Sequence, residues 1–196
     1  MRPVPDHQEA FMSNITRTSI LIEVTERLSL SQLQQLQPPA TSTNISPSNT
    51  TADEPLAQDL NATAYHLHEV CELSGDSYEI LDNPRPIQLP KLAGVPAYLA
   101  QALLSSGARP QQQQQQGQGG QSVAAVAAAG GTSTCHFLLI RLKEKNTDII
   151  AYIVVPHAGL ENAADAGAVA REEMFAHEAM AKIMETFEIR DYGLFC

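Results

Sequence analysis

The chain has 196 residues, 43% of them apolar, and its twelve basic and 22 acidic residues leave a formal charge of −10. Such a length and apolar share fit one ordinary folded unit, and without Trp the core must come mainly from Ile, Leu, Val, Met and Ala. The acidic balance repels phosphate backbones, disfavouring nucleic acid and suiting a basic protein surface. Three scattered cysteines, Cys71, Cys135 and Cys196, resemble neither a disulfide framework nor a zinc knuckle. The first twenty residues lack an apolar signal region and no apolar run reaches membrane-spanning length, so neither secretion nor membrane insertion is expected.

In chain order, the first local feature is Val4-Pro5-Asp6-His7-Gln8-Glu9, where Asp6 and Glu9 have the D-x-x-E spacing of a turn or a capping box. Ser19 to Thr25 then alternates Ile20, Ile22 and Val24 against Leu21, Glu23 and Thr25, a strand signature. Glu23 and Glu26 read as the solvated side of that strand and its following turn. Residues three apart on a strand face opposite ways, so these two share a surface only if the strand ends, bulges or twists near Thr25.

Residues 29–57, rich in Gln, Ser, Thr and Pro, read as a loop insertion. A helix is expected from Pro55 to Glu72, with Leu56, Leu60, Ala64, Leu67 and Cys71 on one stripe. Pro84, Pro86, Pro90 and Pro96 punctuate a strand or loop region beyond it. Residues 105–134 hold the glutamine run Gln111 to Gln116 and Gly- and Ala-rich tracts; this composition buries too little apolar surface to offset chain ordering and is expected to be a disordered insert.

Cys135 to Lys143 and Thr147 to Val155 are apolar, β-branched runs around the polar turn Glu144, Lys145, Asn146, predicting an antiparallel hairpin near the sheet centre. Between Ala166 and Phe187 the residues Phe175, Ala176, Ala179, Met180, Ile183, Met184 and Phe187 recur at helical spacing, with Glu173, His177, Glu178, Lys182 and Glu185 on other faces. The expected architecture is therefore α+β, a sheet with antiparallel pairing covered by helices.

No nucleotide-binding, zinc-protease or serine-hydrolase motif occurs. His66 and His68 would share a face only on a strand; on the expected helix they point roughly 200° apart. Cys135 and His136 face opposite ways on theirs. No catalytic residue, cofactor or metal site is expected.

Arg2-Pro3-Val4-Pro5-Asp6-His7-Gln8-Glu9-Ala10-Phe11 resembles the LRxVPDNQEVF signature of the Ran guanine nucleotide release factor family, and Ser19 to Glu26 resembles its SIIVDLLE strand. Leu139-Ile140-Arg141-Leu142 with Thr147-Asp148-Ile149-Ile150 is similar to the family's LIRL and TDVV pair, and Arg190 to Phe195 to its D-x-x-L-F ending. The resemblance implies a Mog/PsbP-like fold, a mainly antiparallel sheet sandwiched between helices, spanning residues 1–196 as a single domain apart from the two inserts. It further implies a non-catalytic role without a cofactor: binding the GTPase Ran and promoting nucleotide release in nuclear import, in nucleus and cytoplasm, as a monomer. Matched residue by residue, the acidic positions implied to meet Ran are Asp6, Glu9, Glu23 and Glu26. A PsbP-like accessory protein without Ran binding is the alternative of the same fold. Family members carry a further strand before the VPD signature, so an amino-terminal strand is expected to be missing from this chain.

Overall fold

The computed structural model describes residues 8–29, 33, 54–74, 76–106, 131–158, 160 and 167–194. Six strands, β1 (Gln8–Met12), β2 (Ser19–Glu26), β3 (Asp76–Ile87), β4 (Ala97–Ser106), β5 (Thr132–Leu142) and β6 (Thr147–Pro156), form one sheet in the order β1-β2-β6-β5-β4-β3. Every neighbouring pair is antiparallel. Helices α1 (Glu54–Ser74) and α2 (Ala168–Thr186) cover opposite faces, giving the sandwiched α+β architecture expected from the sequence.

Strand alternation explains the two cores. In β5, Cys135, Phe137 and Leu139 point to the α1 side and meet Ala62 and Leu67, while Leu138 and Ile140 point to the α2 side with Ala176 and Met180. A strand buried on both faces reads as a continuous apolar run, and β5 is buried from Thr134 to Leu142. The β5–β6 hairpin turns through a short 3₁₀ segment, Lys143–Lys145, and Asn146 closes it in the left-handed region at φ 49, a conformation that Asn tolerates better than most side chains. In β2, Ile20, Ile22 and Val24 join the α2-side core and Leu21 the α1-side core.

Several expectations need correction. The inward stripe of α1 is Asp59, Ala62, Thr63, His66 and Leu67, whereas Leu56 is 39% exposed; the buried polar residues, paired as described below, rotate the stripe away from the one read by hydropathy. Cys71 lies where side chains are outside the described residues. Phe175, expected in the core, is 50% exposed. Glu9 sits on a strand, with no helix start for a capping box there. Of the proline-rich region, Pro84 and Pro86 fall in β3, an edge strand whose register shifts between Ile80 and Asp82 and again between Asp82 and Arg85; an edge tolerates residues that cannot donate to the ladder. The inserts are narrower than expected, because α1 begins at Glu54, β4 runs to Ser106 and β5 starts at Thr132. The glutamine run and the stretch from 34 to 53 lie outside the described residues. No helix among the described residues is long and apolar enough to cross a membrane.

Candidate partner-binding surface

Three of the four acidic candidates fall on the β1–β2 edge of the sheet; Asp6 lies outside the described residues. Glu9 is exposed on β1 and stands opposite Ile22. β2 runs in unbroken register from Glu23, opposite Ile150, to Glu26, opposite Thr147. No bulge intervenes, so Glu23 and Glu26 face opposite sides of the sheet. Cross-strand partners share a face, which puts Glu9 and Glu26 together on the α2 side, four strand positions or roughly 13 Å apart. Glu23 projects to the α1 side near Tyr152, whose hydroxyl is pushed above its ordinary pKa first by burial and then by the Glu23 charge. Glu26 Oε1 accepts a hydrogen bond from Asn146 Nδ2 at 3.1 Å, tying the end of β2 to the hairpin turn.

Apolar side chains accompany these carboxylates. Phe11, Met12 and Ile15 are 56, 55 and 93% exposed. Grouped on a short edge strand and its turn, they give a mixed acidic and apolar rim of the kind that marks interaction sites.

Beneath the opposite end of β2 lies a buried charge network. Arg141 Nε and Nη2 donate to the two carboxylate oxygens of Asp148 at 3.0 and 3.2 Å, Nη1 donates to Asp59 Oδ1 at 2.7 Å, and Nη2 also donates to the Leu28 carbonyl at 3.2 Å. Tyr98 donates to Asp59 Oδ2 at 2.8 Å, Lys143 Nζ lies 3.2 Å from that oxygen, and His66 Nε2 donates to Asp148 Oδ2 at 3.2 Å. Arg141 and Asp148 are opposed in the hairpin register, so the strands preset their fork-to-fork contact, and α1 adds Asp59 and His66. Burial alone would lower the His66 pKa, but Asp148 and Glu69 outweigh it and hold the pKa above its ordinary value. The network fastens α1, β4, the central hairpin and the exit of β2 to one another.

A second polar joint fastens α2. Glu173 Oε2 accepts from His136 Nε2 at 3.0 Å and Glu173 Oε1 from His157 Nε2 at 2.9 Å. Burial raises the Glu173 carboxyl, yet hydrogen bonds from His136, Thr134 and His157 bring it down to about 2. One residue earlier on the helix, Glu172 Oε2 accepts a hydrogen bond from Thr18 Oγ1 at 2.8 Å, which pins the β1–β2 turn to the same helix.

With this geometry in place, residues 1–156 match the family described as Ran-interacting Mog1 protein. The chain belongs to the Ran-interacting Mog1 family. Among solved structures it is similar to the Saccharomyces cerevisiae Ran-binding protein Mog1p, at 18% identity and a TM-score of 0.54, covering 100% of this chain and 86% of that one. It is similar also to a Mog1 mutant protein, at 17% identity and a TM-score of 0.52, with the same coverage. These two likenesses show the Mog1 fold. A search of curated protein sequences finds no match.

Within this Mog1-family chain, the LIRL-like and TDVV-like segments contribute Arg141 and Asp148 to the buried network. Hydropathy reading treats these strands as apolar runs and misses both. A signal was available: a charged residue on each strand, at positions a hairpin with this turn sets opposite one another. The Glu173 joint was also missed, since Glu173 and His177 are one turn apart on an apparently solvated face.

Proposed function

We propose that this protein binds Ran through the acidic β1–β2 edge and promotes release of its bound nucleotide, as a monomeric binding protein acting in nuclear import in the nucleus and cytoplasm. The observation that carries the reading is the match to a Ran-interacting family in a chain whose exposed Glu9 and Glu26 share one face of that edge. Asp6 and Glu23 complete the proposed acidic set.

A GTPase holds its nucleotide through a basic phosphate cradle, Mg²⁺ and switch loops ordered by those contacts. Carboxylates at the rim engage basic residues on Ran and favour a conformation with low nucleotide affinity, and Phe11 and Ile15 supply apolar contact beside them. No bond is made or broken by this protein; it acts by binding one state of its partner better than another.

The test is release of a fluorescent nucleotide from Ran loaded with GDP or with GTP, alongside a pull-down of each form. Faster release in proportion to added protein supports the reading. Binding without release would leave a Ran-binding protein of another role, and absence of binding to either form overturns the proposal.

A further inference from the structure

Beside the α2 joint, His136, Glu173 and His177 each present a ligand atom within 4.8 Å of the other two. They come from two elements: His136 from β5, on the even-numbered face towards α2, and Glu173 and His177 from successive turns of α2. The rings of His136 and His177 meet edge to face with centroids 4.6 Å apart. The geometry points to a three-ligand site for a divalent transition-metal ion of the zinc class, with water in the remaining position. Two imidazoles and one carboxylate are a donor set that suits such ions.

Distances and surrounding contacts support the assignment. Around a four-coordinate ion with bonds of about 2.0 to 2.1 Å, donor atoms stand roughly 3.3 Å apart. The 3.0 Å between His136 Nε2 and Glu173 Oε2 thus needs a small opening to admit the ion, which takes the place of the proton between them; that proton leaves Nε2 to solvent. The supporting contacts already orient the ligands. His177 Nδ1 lies 2.8 Å from the Glu173 carbonyl oxygen, and donating its proton there leaves the lone pair on Nε2, the arrangement that metal-binding histidines favour.

His157 holds the other carboxylate oxygen of Glu173 at 2.9 Å, while Thr132 Oγ1 stands 3.2 Å from His157 Nδ1. With Thr132 donating to Nδ1 and Nε2–H donating to Glu173, both nitrogens of His157 are engaged, and it serves as the positioning residue for the ligand carboxylate. His136 is buried, Glu173 half-buried and His177 exposed, so the site has a rigid floor and an open mouth. An ion bound there would clip α2 to the sheet centre.

The experiment titrates ZnCl₂ into tag-free protein by calorimetry and CoCl₂ by visible absorption. One equivalent should bind, with the intense d–d bands of a four-coordinate cobalt centre. His177→Ala changes an exposed side chain and should leave the fold intact by circular dichroism, yet weaken zinc binding at least tenfold; Glu173→Gln should do the same. His68→Ala, remote from the cluster, should bind as the parent does. No binding by the parent, or binding unaltered in His177→Ala, overturns the site and leaves the cluster a hydrogen-bonded joint.

Discussion

The carboxylates Asp59 and Asp148 are buried on the α1 side of the sheet and held by Arg141, whereas Glu9 and Glu26 lie exposed on its α2 side. Both sets fall within or beside segments that look conspicuous in the sequence, yet the environments assign them different work. A buried carboxylate held by a guanidinium fork has surrendered its charge to the fold, and its removal is felt as stability. An exposed one keeps its field for a partner, and its removal is felt as affinity and association rate.

The largest expected effect breaks the buried set. Arg141→Ala leaves Asp59 and Asp148 uncompensated in the interior and should cost about 3 to 5 kcal/mol of folding stability, measured by urea unfolding. A loss below about 1 kcal/mol would mean that water or Lys143 substitutes for the guanidinium and that the network is not the fastening described.

Next comes the exposed set. Glu9→Lys combined with Glu26→Lys should lower Ran affinity at least tenfold, about 1.4 kcal/mol, while unfolding free energy stays within about 0.5 kcal/mol of the parent. The loss should shrink as salt is raised. Glu23→Lys, on the other face, should lower affinity by less. If Glu23→Lys is instead the more damaging change, the partner approaches from the α1 side.

A smaller effect distinguishes the sets by pH. The folded-state pKa of His66 is raised, so its contribution to stability is fully present below the unfolded value of about 6.5 and is lost as pH rises through the folded value. The stability difference between the parent and His66→Gln should therefore narrow from pH 6 to pH 9 in urea titrations. A difference that widens over that range would show that His66 is neutral in the folded protein.

The smallest effect is expected outside both sets. Ser106 N donates to Gly131 O at 3.1 Å across the ends of the second insert, so the β4–β5 ladder already closes there. Deleting Gln111 to Ser122 halves the intervening chain and should raise stability by about 0.6 kcal/mol at most. A clear fall in the melting midpoint would show that the tract contributes contacts to the fold.

Legibility in the sequence followed the same division. β2, the β5–β6 hairpin and α2 were readable because their apolar residues recur with the period of the element and face the core. The inward face of α1 was not, because Asp59, Thr63 and His66 occupy it and a hydropathy stripe counts them as solvent-facing; Arg141 and Asp148 from the hairpin make the burial of Asp59 and His66 favourable, and Thr63 Oγ1 donates back to the Asp59 carbonyl at 2.9 Å. β3 was obscured by Pro84 and Pro86, which are tolerable only because the strand lies at an edge. Among the acidic candidates, strand parity correctly warned that Glu23 and Glu26 diverge without a bulge, whereas the pairing that joins Glu9 to Glu26 depends on β1, which the local spacing did not reveal.

That edge strand has a colloidal consequence. An incoming chain that tried to extend the sheet beyond β3 would meet two positions with no N–H to offer and a ladder twice thrown out of register. Growth of cross-β stacks from this flank is thereby disfavoured, so of the two rims the one carrying exposed apolar groups is the more open to strand addition.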